Sequence, residues 1–218
     1  MSITSGNIMS ITNLNQDTVQ SISPDKINKT KESLEQHGIN VIVVNNGEEA
    51  FNLLKEMIPS GSEVMTGSST TLQQIGFMDY YISNQHPWIN LGSPIFLEQD
   101  KKVQYEMRRK SVTAQYFLAS VNAITENGEL VAVDGSGSRV GAYPFGAEKV
   151  VLVSGVNKIV PTLNDAFERI KNVVLPLESE RAMKRYGRPA RFAKWVIIER
   201  ENVKDRITLI LVKDELGF

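Results

Sequence analysis

SPDKINKTKESLEQHGINVIVVNNGEEAFNLLKEMIPSGSEVMT, residues 23–66, changes its hydrophobic period several times within one stretch. Ser23-Pro24-Asp25 is a helix start, because a hydroxyl can cap the first turn and proline's missing N–H costs nothing there. The helical run stops at His37-Gly38, with the histidine suited to a helix C-terminus. Val41 to Val44 is then a short, continuous apolar run of the kind that makes a buried strand. Ala50, Phe51, Leu53, Leu54 and Met57 return to helical spacing over Gly47 to Met57, and Ser62 to Met65 opens a second strand. The order helix, strand, helix, strand predicts an α/β domain.

Downstream, the spacing predicts a polar helix over Glu98 to Lys110 and strands over Tyr116 to Val121, Leu130 to Val133 and Val150 to Val153. Leu163 to Val174 is amphipathic, with Ala166, Phe167, Ile170 and Val174 on one helical face. Continuous apolar strands of this kind suit a mostly parallel sheet covered on both faces. Trp195 to Ile198 and Ile207 to Leu211, separated by a charged turn, read as a C-terminal antiparallel strand pair. Residues 1–22 are rich in Ser, Thr, Asn and Gln and are expected to be a flexible N-terminal segment ahead of one domain over residues 23–218. MSIT occurs at Met1 and again at Met9, too short a period for a repeat architecture.

Composition narrows the function classes. With 24 basic and 25 acidic residues, evenly mixed, the chain lacks the electrostatic footprint of nucleic-acid binding or of attraction to an anionic membrane. No apolar run reaches the roughly 18 residues of a membrane span, and no basic-then-apolar leader opens the chain. A cytoplasmic protein is expected. The 218 residues contain no cysteine, so a thiol nucleophile, a disulfide and a cysteine-ligated iron–sulfur cluster or zinc are ruled out on this chain. Two histidines, His37 and His86, do not make a zinc site, and no metal is expected. Trp88 and Trp195 read as packing residues.

Three stretches could carry chemistry. TGSSTTLQQIG, Thr66 to Gly76, lies between a strand and a helix and offers Gly67 with Ser68, Ser69, Thr70 and Thr71 to an anion; one of those hydroxyls acting simply as a helix cap is the alternative. It lacks the Gly-Lys-Ser/Thr signature of a P-loop. VAVDGSGSRVG, Val131 to Gly141, ends a strand on Asp134 and continues through Gly135, Ser136 and Gly137 to Arg139, with a short helix expected through Gly141. Ligands of open α/β sheets bind beyond strand carboxyl ends, whereas a tight turn closed by Asp134 explains the same residues without a ligand. ASVNAITENGELV places Asn122 after a strand and Glu126 before an ordinary Asn127-Gly128 hairpin turn, so Glu126 is a candidate base or nucleophile.

TGSSTTLQQIG, ASVNAITENGELVAVDGSGSRVGAYPFGAEKVVLVSGVNKIV and AFERIKNVVLPLESER, in this order, resemble the lactate-utilization (LUD) family over roughly Gly38 to Phe218. The resemblance implies a three-layer α/β/α sandwich, shared with ribose-5-phosphate isomerase, glucosamine-phosphate isomerase and CoA transferases. It implies that the Gly67 to Thr71 loop faces the Asp134 to Arg139 loop across one cleft, with Lys158 following the next strand and Asn122 beside it. Glu126 and Asp134 are the candidate catalytic carboxylates. The implied ligand is a small anionic metabolite: a hydroxy acid, a sugar phosphate or a CoA-like molecule. Relatives carry a cysteine cluster beyond the stretch resembling Pro176 to Arg185, where this chain reads RAMKRYGRPARFAKWVI. The family's association with lactate oxidation beside iron–sulfur partner proteins therefore also implies an alternative, a non-catalytic accessory or assembly subunit. A closed two-fold homodimer is the expected assembly.

Overall fold

The computed structural model describes residues 22–218; the N-terminal segment expected over residues 1–22 lies, apart from Ile22, outside the described residues. Local chemistry starts and stops the first elements as the sequence requires. α1 (Pro24–Gln36) begins where the Ser23 hydroxyl accepts the Lys26 N–H at 3.3 Å, and it ends at Gly38, whose φ of +78° is left-handed. β1 (Asn40–Val44) leads to α2 (Gly47–Met57), which Asn46 caps, and then to β2 (Glu63–Thr66). Next come α3 (Thr70–Gln74), α4 (Phe77–Ser83), β3 (Ile89–Asn90), α5 (Gly92–Leu97) and α6 (Lys101–Lys110). The second half supplies β4 (Tyr116–Ala119), β5 (Ala123–Thr125), β6 (Leu130–Asp134), β7 (Lys149–Gly155), β8 (Ile159–Val160), α7 (Leu163–Arg169), α8 (Leu175–Tyr186), β9 (Lys194–Ile198) and β10 (Ile207–Val212).

Six strands form one parallel sheet in the order β1-β10-β7-β4-β2-β3, flanked by helices. A second sheet runs β8-β5-β6-β9, with β5 parallel to β8 and antiparallel to β6. Strand alternation divides the core. In β10, Leu209 and Leu211 pack with Leu34 of α1 and with Ile124 and Leu130 of the second sheet, while Ile210 and Val212 face Leu54, Leu72 and Phe77 on the helices opposite. The outer face of the second sheet, at Ala123, Val131 and Val133, is covered by Ala166 and Ile170 at the α7 end of the helical run.

Two strand assignments change. β9 and β10 do not form the expected C-terminal antiparallel pair: β9 lies antiparallel to β6 at the edge of the second sheet, and β10 inserts between β1 and β7. The reason is burial. All six residues of β10 are buried, which demands cover on both faces, whereas Lys194 and Trp195 of β9 are exposed. The charged connection between them is a structural anchor: Arg206 donates to Glu201 at 2.7 Å and to the carbonyls of Ala147 and Tyr143, with both side chains of the pair only 9% exposed. β6, equally apolar, belongs to the second sheet and not to the parallel one, because its hairpin with β5 at Gly128 folds it back locally. The amphipathic helix of Leu163 to Val174 also extends further, passing through a π-helical turn at Ile170–Val174 into α8, where Pro176 sits harmlessly in the first turn.

Removing one partner of a buried pair strands the other's charge. Arg206→Met should lower unfolding stability by roughly 3–5 kcal/mol, with part of the loss recovered in Arg206→Met/Glu201→Gln, as read from urea midpoints.

Candidate functional site

Parallel strands deliver their following residues to the same end of a sheet. β2 ends at Thr66, β4 at Ala119 and β7 at Gly155, so Gly67 to Thr71, Ser120 to Asn122 and Val156 to Lys158 meet there. β6 brings Asp134 alongside from the second sheet, and α8 with residues 187–193 forms the facing wall. Between them lies a cleft of about 950 Å³.

Arg139 ties its walls together. One guanidinium nitrogen donates to the Ser120 carbonyl at 2.8 Å and the Tyr143 hydroxyl at 3.1 Å; the other donates to the Val133 carbonyl at 2.6 Å and Asn122 Oδ1 at 3.3 Å. Asp134 holds the loop that presents it: one carboxylate oxygen accepts the Ser136 N–H at 3.2 Å and the other accepts the Arg139 N–H at 3.0 Å. The tight-turn reading of Asp134 is therefore realised, and Asp134 still lines the cleft. Gly67 is required for space: a β-carbon there would stand 2.6 Å from Arg139 Cδ and 2.7 Å from its Cγ. Arg108 of α6 braces the same loop, donating to Ser138 Oγ at 2.8 Å and Ser136 Oγ at 3.3 Å.

Lys158 forms the floor and is 2% exposed. Its ammonium position lies 3.1 Å from Thr71 Oγ1, 3.0 Å from Ser120 Oγ and 3.1 Å from the Val121 carbonyl. Burial, then the nearby positive charges of Arg169 and Arg139, push its pKa down to about 7. Arg169, which donates to the Asn122 carbonyl at 2.8 Å, is also held below its ordinary value by burial. Among the described residues, neither Lys158, Arg139 nor Arg169 has a carboxylate within ion-pairing distance.

Most of the residues singled out from sequence meet in this cleft. Gly67, Ser68, Ser69, Thr70, Thr71, Asn122, Asp134, Gly135, Ser136, Arg139 and Lys158 all line it. Ser69 serves as the helix cap, accepting the Leu72 N–H, while Thr71 reaches the floor. Gly137 falls outside the lining, packed at φ +88° against the Lys194 stem. Glu126 is also elsewhere: it pairs with Lys26 at 2.9 Å and Lys29 at 3.5 Å, both from α1, and these contacts lower its pKa. Instead of the short helix expected through Gly141, an irregular turn precedes a π-helical turn at Ala142–Gly146. Sequence reading missed Ser120, Arg108, Arg169, Arg181, Arg188 and Arg191. An arginine on a polar helix or in a basic loop carries no local mark of facing inward.

A parallel sheet with a basic cleft across its strand carboxyl ends defines an open α/β domain of the kind whose ligands bind at strand ends. The chain belongs to the LUD-domain family: the LUD domain model matches residues 27–212. The fold is similar to that of a crystallised DUF162 family protein from Deinococcus radiodurans, with a TM-score of 0.52 and 12% identity over 86% of this chain and 96% of that one. No curated protein matches the chain.

Three substitutions test the geometry. Gly67→Ala should displace the Arg139 stem and lower the thermal midpoint, whereas Ser68→Ala on the exposed neighbour should not. Glu126→Gln should cost about 1 kcal/mol or less at pH 7, because its partners are solvated. A carboxylate held below its ordinary pKa stabilises the fold above that pKa and ceases to do so as pH falls through the lowered value, so the Glu126→Gln difference should vanish in acid unfolding titrations.

Proposed function

We propose that this protein binds a small anionic metabolite in the cleft at the strand ends. One observation carries the reading: five arginines, Arg108, Arg139, Arg181, Arg188 and Arg191, together with Lys158, line the cleft against two carboxylate side chains among the described residues, in a chain whose net charge is −1. The two carboxylates offset only part of this surplus: Glu178 pairs with Arg181 at 2.6 Å, and Asp134, whose oxygens accept backbone N–H groups, cancels one further charge. An anion is what such a cleft lacks.

The size of the cleft suits a hydroxy acid, a sugar phosphate or a larger CoA-like molecule. Family membership supports a link to lactate utilization, in a cytoplasmic setting where such metabolites are held. The second reading, a non-catalytic accessory subunit working beside iron–sulfur partner proteins, is favoured by the carboxylate arrangement. Asp134 accepts one backbone bond on each oxygen from its own loop and Glu126 is paired with two lysines outside the cleft, so neither stands as an uncommitted base.

Thermal shift with lactate, pyruvate, glycerate, sugar phosphates, nucleotides and CoA separates these outcomes. An anionic ligand at about 100 times its dissociation constant should stabilise the fold by roughly 2.7 kcal/mol. The shift should shrink in Arg188→Ala/Arg191→Ala, whose side chains are exposed, so that the fold should be little affected. Silence across every anion would overturn the binding reading.

A further inference from the structure

The floor of the cleft has a feature that charge alone does not explain. Lys158 Nζ sits among three oxygens at almost equal distances: the Thr71 hydroxyl, the Ser120 hydroxyl and the Val121 carbonyl. A carbonyl only accepts, whereas a hydroxyl can accept or donate. As an ammonium, Lys158 has three N–H donors and satisfies all three oxygens, while the Thr71 hydroxyl donates to Ser120 Oγ at 3.3 Å and the Ser120 hydroxyl to the Val121 carbonyl at 3.3 Å. As a neutral amine it has two donors and one lone pair, which the Thr71 or Ser120 proton fills by leaving its present acceptor. The protonation state of Lys158 thus sets which way the floor's hydroxyls point.

The surroundings decide that state in the absence of an anion. From the loop after β6 comes Arg139, bonded to the same Ser120 through its carbonyl; from α7 comes Arg169, bonded to the Asn122 carbonyl. The π-helical turn contributes the Tyr143 hydroxyl, which donates to the Ser120 carbonyl at 2.8 Å and is itself held above its ordinary pKa by burial. Asp134 is spent on the backbone of its own loop. From the C-terminal segment, Gly217 closes over Thr71 and Lys158 so tightly that a β-carbon would collide with both. A buried amine near two guanidinium charges, with no carboxylate paired to it among the described residues, has its pKa pushed down to about 7, so the neutral amine becomes the main form as pH rises above neutrality.

We infer that Lys158, Thr71 and Ser120 form the subsite for the anionic group of the ligand, and that an anion seated there brings one proton with it onto Lys158. Protonation supplies positive charge and leaves no hydroxyl proton needed at Nζ, so the Thr71 hydroxyl, whose bond to Ser120 Oγ is long at 3.3 Å, can turn to the anion. Arg139 and Arg169 are fixed cations; Lys158 is the adjustable one. This assignment rests on the anion-binding reading and adds which end of the cleft takes the charge, with what proton balance.

Sulfate is the probe of choice, since it keeps its charge across pH 6–9 and leaves any pH dependence to the protein. Calorimetric titration of the full chain in two cationic buffers of different ionisation enthalpy reads proton uptake directly. Wild type should take up about one proton per sulfate near pH 8, and its affinity should fall about tenfold per pH unit above neutrality. Lys158→Met should bind without proton uptake and with flat pH dependence; Lys158→Arg should regain affinity, again without uptake. Sulfate binding by wild type with no proton uptake, or with uptake unchanged in Lys158→Met, would overturn the subsite while leaving the anion-binding reading intact. Failure of sulfate to bind while a metabolite of the thermal-shift panel does would likewise remove this subsite alone. Failure of every anion would remove both.

Discussion

The guanidinium of Arg139 is the constraint on which the cleft depends. It joins the carbonyl beyond β4, the last-but-one carbonyl of β6 and the side chain of Asn122, while its aliphatic stem rests on Gly67. Three segments, at Gly67, at Ser120 to Asn122 and at Val133, meet on one side chain whose planar head holds donors in fixed directions, a geometry that lysine could not supply. The parallel sheet and the smaller antiparallel one are thereby registered to each other at the ligand end. Because its partners are neutral, this bolt carries a positive charge into the site, and the arrangement that builds the cleft also sets its polarity.

That dual use explains why some of the site was legible in sequence and some was not. Strand ends followed by small residues mark where backbone turns, and both such loops, at Gly67 to Thr71 and Asp134 to Arg139, face one cleft. The reason for Gly67 was not legible: the residue is there to leave room for a side chain 72 positions later, not for a left-handed turn. Glu126 looked like a free strand-end carboxylate because its lysine partners lie on α1, about a hundred residues earlier. Pair identities of this kind are set by tertiary approach, which neither period nor composition encodes.

The same limit applies to the sheets. Apolar continuity in β6 and β10 correctly signals burial, yet it is silent on partners; one strand folds back on its neighbour and the other crosses the molecule. Helix α1 was readable from its cap, its spacing and its terminal glycine because each of those signals is local. The arginines of the outer wall had no such signal. Their placement depends on α8 and the following segment lying across the strand ends.

The position of β10 bears on how the protein comes into being. β1 is bonded on its inner side only to β10, and their paired residues Asn40 and Thr208 stand 168 positions apart. During synthesis, β1 and β7 emerge with the slot between them empty, each offering unpaired backbone and apolar faces until one of the last strands arrives. Newly made chain must therefore wait, partly open, until β10 has been synthesised. Its period of greatest exposure to aggregation and to chaperones is built into the order of its strands.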